Sequence, residues 1–388
     1  MAPSRPRRLQ QLPPYLFVEI DRAKRVAAAT GKDVINLGVG DPDQPTPKFI
    51  IERMHSAIED PKNHRYPFDE GVPQFRRQVA EWMNKRFGVH ADPDRQVLTL
   101  IGSKEGLAKL PLAVVNPGEA VLVPQPGYPV YNAAATFVGA EVHAMPLSAG
   151  TGWLPDLDAI PPAVAARARL MYLNYPNNPT GAMAPLAFYE QAVAFARRHG
   201  LVICQDAAYS EIYFEQPPPS ILQAAGAAEV AIEMFSLSKT FNMTGWRLGF
   251  AVGNEQVLAA LAQVKSNMDS GQFNAVQEAG TAALAGADRP EVRALLDVYR
   301  QRRDTLVDGL ARLGWRVERP RATFYVWIRC PDGADSMTTA RRLLEEANVV
   351  TIPGVGFGPA GEGYIRAALT VPAERIAEAV QRIGRVRF

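Results

Sequence analysis

The stretch Ser236-Leu237-Ser238-Lys239-Thr240-Phe241-Asn242-Met243-Thr244-Gly245-Trp246-Arg247-Leu248-Gly249 sets a lysine among hydroxyl groups, with an arginine eight residues on. An amine can form an imine with an aldehyde, and hydroxyls together with a guanidinium can hold a dianion. The stretch therefore suits a Schiff base beside a bound phosphate. Taken alone, Ser236-x-x-Lys239 equally fits the serine–lysine pattern of penicillin-recognising enzymes, so the surrounding chain has to decide.

Upstream and downstream of it, short apolar runs recur: Gln96–Ile101, Ala120–Pro124, Glu141–Pro146, Arg169–Tyr175, Leu201–Asp206, Ala231–Leu237 and Arg247–Gly253. Most are continuous rather than alternating, which is the mark of strands covered on both faces. Helical patterns fall between them. Phe75, Val79, Trp82 and Met83 share one face of a segment ending near Gly88, and Leu186, Val193 and Ala196 do the same before Gly200. Such alternation predicts an α/β fold with a mostly parallel, seven-stranded sheet covered by helices. After residue 290 the texture changes. Val292, Leu295, Leu296, Tyr299, Leu306, Leu310 and Leu313 mark a long amphipathic helix closing at Gly314. Strand-like Thr323–Ile328, a helix over Thr338–Ala347, a strand around Val349–Ile352, Tyr364–Leu369 and a last helix from about Pro372 follow. The expected division is an N-terminal arm over 1–45 that completes a smaller α+β domain, a large domain over 46–288, and the rest of the small domain over 289–388.

Bulk properties exclude several classes. The 388 residues carry 42 basic and 40 acidic side chains, a net charge of +2, with 47% hydrophobic residues. That balance offers no general attraction to nucleic acid or a membrane surface. No apolar run approaches the roughly 20 residues of a membrane span. The basic cluster Arg5, Arg7 and Arg8 reads as a solvated arm. Cys204 and Cys330, far apart in sequence, make neither a disulfide framework nor a metal site. The expected location is the cytoplasm, with no metal.

In sheets of this kind functional groups gather where strands end. The first strand runs into Gly102-Ser103-Lys104-Glu105-Gly106, a helix start whose free N–H groups and Ser103 hydroxyl make an anion seat. The second gives Pro126-Gly127-Tyr128-Pro129-Val130-Tyr131, presenting Tyr128 either to a flat heterocycle or to surface packing. The fourth ends in Asn174-Tyr175-Pro176-Asn177-Asn178-Pro179-Thr180-Gly181, where Asn178 could donate to a phenolate. The fifth ends in Asp206-Ala207-Ala208-Tyr209. A carboxylate at the end of an apolar run is costly without a cation, and a protonated pyridine would serve; a helix cap is the plain alternative. Tyr209 follows on the same side.

Together these residues resemble the fold-type I, class I/II pyridoxal-phosphate aminotransferases, from Leu12 to about Ile383. The resemblance implies that Lys239 holds the cofactor and transfers protons, and that Asp206 keeps its ring nitrogen protonated. Asn178 and Tyr209 would bind its 3-oxygen. Ser103, the Lys104 backbone, Ser236 or Ser238, and Arg247 would hold its phosphate, with Tyr128 stacked on the ring. Arg366, in Gly363-Tyr364-Ile365-Arg366, would pair with the substrate α-carboxylate, whose approach Gly40 would permit. Tyr66 would reach the phosphate of a second subunit, which implies a homodimer with shared active sites. Leu12–Phe17, Asn63–Pro67, Lys265–Gly271 and Thr240–Trp246 most resemble the LL-diaminopimelate branch. That branch exchanges an amino group with 2-oxoglutarate in lysine biosynthesis, and on the same grounds Asp69, Tyr15 and Asn274 would meet the distal end of the substrate. The alternatives are alanine formation, broad aspartate, aromatic or methionine transamination, C–S β-elimination, and a non-catalytic ligand sensor. The serine–lysine hydrolase fails for want of a Lys-Thr-Gly triad or Ser-Asp-Asn. A dinucleotide enzyme fails for want of Gly-x-Gly-x-x-Gly after the first strand.

Overall fold

The computed structural model describes residues 6–12, 31–67 and 70–388. After a two-residue strand, β1 (Ile35–Asn36), seven strands form the central sheet: β2 (Val97–Leu100), β3 (Ala120–Gln125), β4 (Glu141–Pro146), β5 (Ala168–Asn174), β6 (Val202–Asp206), β7 (Ala231–Ser236) and β8 (Gly249–Gly253). Their order is β2-β8-β7-β6-β5-β3-β4. The neighbours from β7 through β6, β5 and β3 to β4 are parallel, whereas β8 runs antiparallel to both β7 and β2. The continuous apolar runs have the cause inferred for them, since β2 and β7 are buried at every position and helices cover both faces.

Local chemistry explains the covering helices. Pro73–Phe87 begins with proline at its first position, buries Phe75, Val79, Trp82, Met83 and Phe87, and closes on Gly88 at φ 66°. A left-handed C-cap of this kind favours glycine. Phe75 is fully buried, so Phe75→Ala would cost about 3–5 kcal/mol. Leu186–His199 ends in the same way at Gly200.

The C-terminal part is α+β. The helix Pro290–Arg312 buries Val292, Tyr299, Leu306 and Leu310. Four strands follow it: β9 (Tyr325–Arg329), β10 (Val349–Val350), β11 (Ile352–Pro353) and β12 (Tyr364–Ala368). Three of them form an antiparallel sheet in the order β11-β12-β9. The single strand expected around Val349–Ile352 is in fact two. β10 pairs in parallel with β1, and after Thr351 the chain turns to pair β11 with β12. Ile35 and Leu37 are buried in the same apolar cluster as Leu306, Val349 and Ile376. The segment Gly38–Asp43 is thereby carried across the mouth of the large sheet: Gly38 lies beside Arg366, and Asp43 takes both guanidinium nitrogens of buried Arg302 at 2.7 and 2.8 Å.

Candidate active site

Strand ends β2, β5, β6 and β7 open into one cleft of about 360 Å³, closed on its far side by Gly40, Tyr325 and Arg366. At one end the groups suit an anion. Gly102 has φ 74°, and a side chain there would place its Cβ 2.4 Å from Arg247 Nη2. Only glycine lets the turn meet the guanidinium this closely. Ser103 then opens the helix Ser103–Val114 with no side chain capping its N–H groups, so those donors and the helix dipole face the cleft. Gly249 is required for the same closeness, since a Cβ there would sit 2.8 Å from the Ser103 nitrogen.

The two serines divide their work. Ser236 Oγ accepts from the Ser238 N–H at 3.3 Å and caps the short helix Leu237–Thr240. The buried Ser238 Oγ has no hydrogen-bond partner among the described residues, although buried hydroxyls nearly always have one. An anion between Gly102 and Arg247 would supply it. Arg247 is fixed by a turn at φ 56°, by its own Nη1 donating to Thr244 O at 2.9 Å, and by Gln272, which donates to the Trp246 and Arg247 carbonyls. Lys104 lines the same end, its Nζ 5.6 Å from the Tyr128 ring centroid. Burial and the Arg247 charge both lower its pKa.

Deeper in the cleft Asp206 is only 4% exposed. Sequence reasoning asked for a cation beside it. Among the described residues its partners are neutral: Tyr131 donates to Oδ2 at 2.7 Å and the Ala208 N–H to Oδ1 at 3.2 Å. Burial outweighs both bonds and lifts its pKa to about 6. A carboxylate in that condition has more to gain from an arriving cation than an exposed one. The Ala208 bond realises the plain capping alternative as well. Asn174 steadies the strand exit, donating to the Asp206 carbonyl at 2.8 Å and accepting the Asn178 N–H at 2.9 Å.

Lys239 projects from Leu237–Thr240 and donates to the Gly40 carbonyl at 3.1 Å. Loss of water around the amine lowers its pKa to about 8; Asp41 opposes this, and Arg247 and Arg366 add to it. Arg366 is 1% exposed. It donates to Asn178 Oδ1 at 2.8 Å and to Gly38 O at 2.7 Å. With the Asn178 oxygen so engaged, the amide NH₂ is the group left to donate into the cleft. Tyr209 also lines the cleft, its hydroxyl 3.1 Å from that of Tyr325.

Thus Gly40, Ser103, Lys104, Tyr128 and Asn178 share one cleft with Asp206, Tyr209, Ser236, Ser238, Lys239, Arg247 and Arg366. Tyr66 and Asn274 are not brought to it. Tyr66 is 88% exposed, and Asn274 opens the helix Asn274–Ala285. Tyr15 and Asp69 lie outside the described residues. Sequence reasoning missed Tyr131, Tyr325 and Asn174. Tyr131 could have been found, because it follows Tyr128 by three residues and so sits one helical turn on. Nothing local marks Tyr325.

Comparison with known proteins agrees with this geometry. Residues 32–383 match the family model "Aminotransferase class I and II". The chain is 56% identical over 382 residues, 98% of each chain, to the LL-diaminopimelate aminotransferase of Syntrophobacter fumaroxidans. The substrate-bound BacF structure from Bacillus subtilis superposes with a TM-score of 0.95 at 39% identity, covering 99% of this chain and 98% of that one. A double mutant of Thermus thermophilus aspartate aminotransferase does so with a TM-score of 0.92 at 30% identity, covering 99% of both. The chain belongs to the class I and II aminotransferases.

Proposed function

We propose that this aminotransferase moves the amino group of LL-diaminopimelate to 2-oxoglutarate, reversibly, as a step in lysine biosynthesis. The observation that carries the chemistry is the position of Lys239: a desolvated amine with its pKa lowered to about 8, sharing one cleft with an anion seat at Gly102–Ser103, a buried arginine and a buried carboxyl. The substrate is supported by relatives such as the Syntrophobacter enzyme.

Enzymes of this family use pyridoxal 5′-phosphate, and the residues fit it. The unpartnered Ser238 Oγ and the glycine-only approach of Gly102 to Arg247 suit its phosphate, while the raised pKa of Asp206 suits a ring cation. When bound, the cofactor supplies an aldehyde that captures the amino group and a ring that draws electrons from Cα. Lys239 anchors it and moves the proton at the substrate Cα. Asp206 holds a proton on the ring nitrogen, Asn178 and Tyr209 donate to the 3-oxygen, and Tyr128 covers the ring face. Arg366 grips the α-carboxylate of donor and acceptor in turn, and Gly40 leaves room for it. Ping-pong kinetics follow.

The reading also includes a cytoplasmic homodimer in which Tyr66 of one chain reaches the phosphate bound by the other. Tyr15, Asp69 and Asn274 would meet the distal ammonium and carboxylate. The exposure of Tyr66, 88% among the described residues, supports this in leaving its ring open to a second chain. Among the described residues no helix is long and apolar enough to cross a membrane.

The test is amino transfer to 2-oxoglutarate from LL-diaminopimelate, alanine, aspartate, phenylalanine and methionine in parallel. A preference for LL-diaminopimelate by kcat/KM is expected. Preference for another donor would discard the pathway and the role of Asp69 while leaving the Lys239 chemistry. Lys239→Ala should bind the cofactor without a covalent bond and lose transamination; full activity would refute the assignment.

A further inference from the structure

One phenol in the cleft has no part in the reaction as described. Tyr325 is 3% exposed and belongs to β9. Arg366 pairs with Trp327, and Ala368 with Tyr325, so Arg366 and Tyr325 are diagonal neighbours on one sheet face. The Arg366 guanidinium carbon lies 4.0 Å from the Tyr325 ring centroid, within cation–π range. The approach to the strand is set by Thr323, at φ 66°, whose hydroxyl accepts the Tyr325 N–H at 3.0 Å. At the other end of the side chain, a Cβ added to Gly40 would stand 1.9 Å from the Tyr325 hydroxyl oxygen. The phenol is therefore confined by backbone on one side and by a cation over its face. Its one hydrogen-bonding neighbour among the described residues is the Tyr209 hydroxyl at 3.1 Å.

Each phenol has one proton, and the pair must share two. If Tyr209 donated to Tyr325, its proton would be spent and it could only accept from the cleft. If Tyr325 donates, Tyr209 keeps its proton for an anionic oxygen in the cleft. The second arrangement leaves a proton free for an anionic oxygen in the cleft, and Arg366 over the Tyr325 ring holds that phenol in place against Tyr209 to make it. Burial keeps Tyr209 protonated at any physiological pH, so the question is where its proton points. We infer that Tyr325 is a positioning residue: it donates to Tyr209, aims the Tyr209 proton at the cofactor 3-oxygen, and strengthens that bond by polarising the phenol that makes it.

The inference rests on the role proposed above for Tyr209. A stronger donor at the 3-oxygen would favour the anionic form of the bound cofactor and so would lower the pH at which its absorbance changes. The holoenzyme chromophore at Lys239 reads this directly by absorbance against pH, without turnover. Tyr325→Phe removes one oxygen and keeps the ring under Arg366. Its apparent chromophore pKa should rise by about half a pH unit, a fraction of a typical hydrogen bond. Tyr209→Phe should raise it further, and the double variant should match Tyr209→Phe alone. Replacing Tyr325 by 3-fluorotyrosine keeps the shape, strengthens the donor, and should lower the value; it also serves if the phenylalanine variant fails to fold. A Tyr325→Phe value that is unchanged or lowered overturns the inference, since the lowered value means that Tyr209 was the donor. So does a double variant that adds the two single shifts, or a fluorotyrosine enzyme that does not move. If Tyr209→Phe itself leaves the titration in place, the proposed role of Tyr209 fails as well, and the two failures are told apart by that control.

Discussion

Asp206 should destabilise the apoenzyme, and replacing it by asparagine should make the cofactor-free chain more stable. Its carboxyl has an ordinary pKa of 3.8 and is pushed to about 6 by burial, against the bonds from Tyr131 and Ala208. One pH unit corresponds to about 1.4 kcal/mol, so about two units place roughly 3 kcal/mol on ionising this group in the fold. Because the folded value lies above the unfolded one, folding favours the protonated form. The contribution is complete below pH 3.8 and is lost as the pH rises through about 6. The neutral amide of the Asp206→Asn variant would escape that loss. It offers one carboxamide oxygen where the carboxylate offers two, so it forfeits one of the two bonds, about 1 kcal/mol. The net gain for Asp206→Asn at about pH 8 is about 2 kcal/mol, the ionisation cost less the lost bond, shrinking to nothing or reversing near the ordinary carboxyl pKa. Denaturant melts of cofactor-stripped wild type and variant, from mildly acid to mildly alkaline buffer, give the difference directly, with all other titrating groups common to both. Adding cofactor should reverse the order, because a ring cation relieves the wild-type carboxylate and does nothing for the amide. A variant no more stable than wild type in alkaline buffer, or a difference independent of pH, would refute the reasoning that burial dominates at Asp206.

Lys239, with its pKa lowered to about 8, should capture an added aldehyde cofactor at a rate that climbs within about one pH unit either side of that value and then levels. Its ordinary value of 10.5 would put the rise far into alkali, and stopped-flow absorbance separates the two. The sign for stability is opposite to that of Asp206: the contribution is full above 10.5 and is lost as the pH falls through about 8. Arg366→Lys loses the planar fork that reaches Asn178 and Gly38 together, and kcat/KM should fall roughly tenfold to a hundredfold for amino donor and oxo acceptor alike. A loss confined to one substrate would remove Arg366 from the shared carboxylate site. Gly102→Ala drives a Cβ to 2.4 Å from Arg247 and should weaken cofactor binding by at least about tenfold, about 1.4 kcal/mol. Gly88→Ala, at a similar positive φ with nothing within 4 Å, should cost stability by about 1 kcal/mol and leave cofactor affinity alone. Unchanged affinity in Gly102→Ala would mean that Arg247 yields to the new side chain and that the close approach is not required.

How far the sequence carries depends on whether a feature is recorded locally. The strands were legible because a strand covered on both faces must be apolar throughout, and the run Ala231–Leu237 says so without reference to any partner. Direction is not recorded in such a run. The reversal of β8 against β7 and β2 comes with a connection made of the short helix Leu237–Thr240 and the turn at Thr244–Trp246, which brings the chain back beside the strand it has left. The division of Val349–Ile352 escaped for a related reason: its two halves pair with Ile35–Asn36 and with β12, and neither partner is marked by the run itself.

The same distinction runs through the cleft. Lys239, Asp206, Asn178 and Ser103 stand at or near strand ends and helix starts, where any parallel sheet delivers its functional groups, so position along the chain singled them out while the resemblance implied their roles. Tyr131 acts on Asp206 across 75 residues and Tyr325 on Tyr209 across 116. Tyr131 works against the burial that raises the Asp206 pKa, and Tyr325 lies against the Tyr209 hydroxyl; of the two, only Tyr131 leaves a trace in the sequence, three residues after Tyr128. Groups that touch a ligand are tied to the element ends that make a cleft. Groups that set the ligand-binding residues' protonation need only be adjacent in space, and they can come from any element packed against the site. A motif therefore reports the chemistry of a family more fully than it reports the tuning, and the tuning of this enzyme is to be sought among its buried phenols.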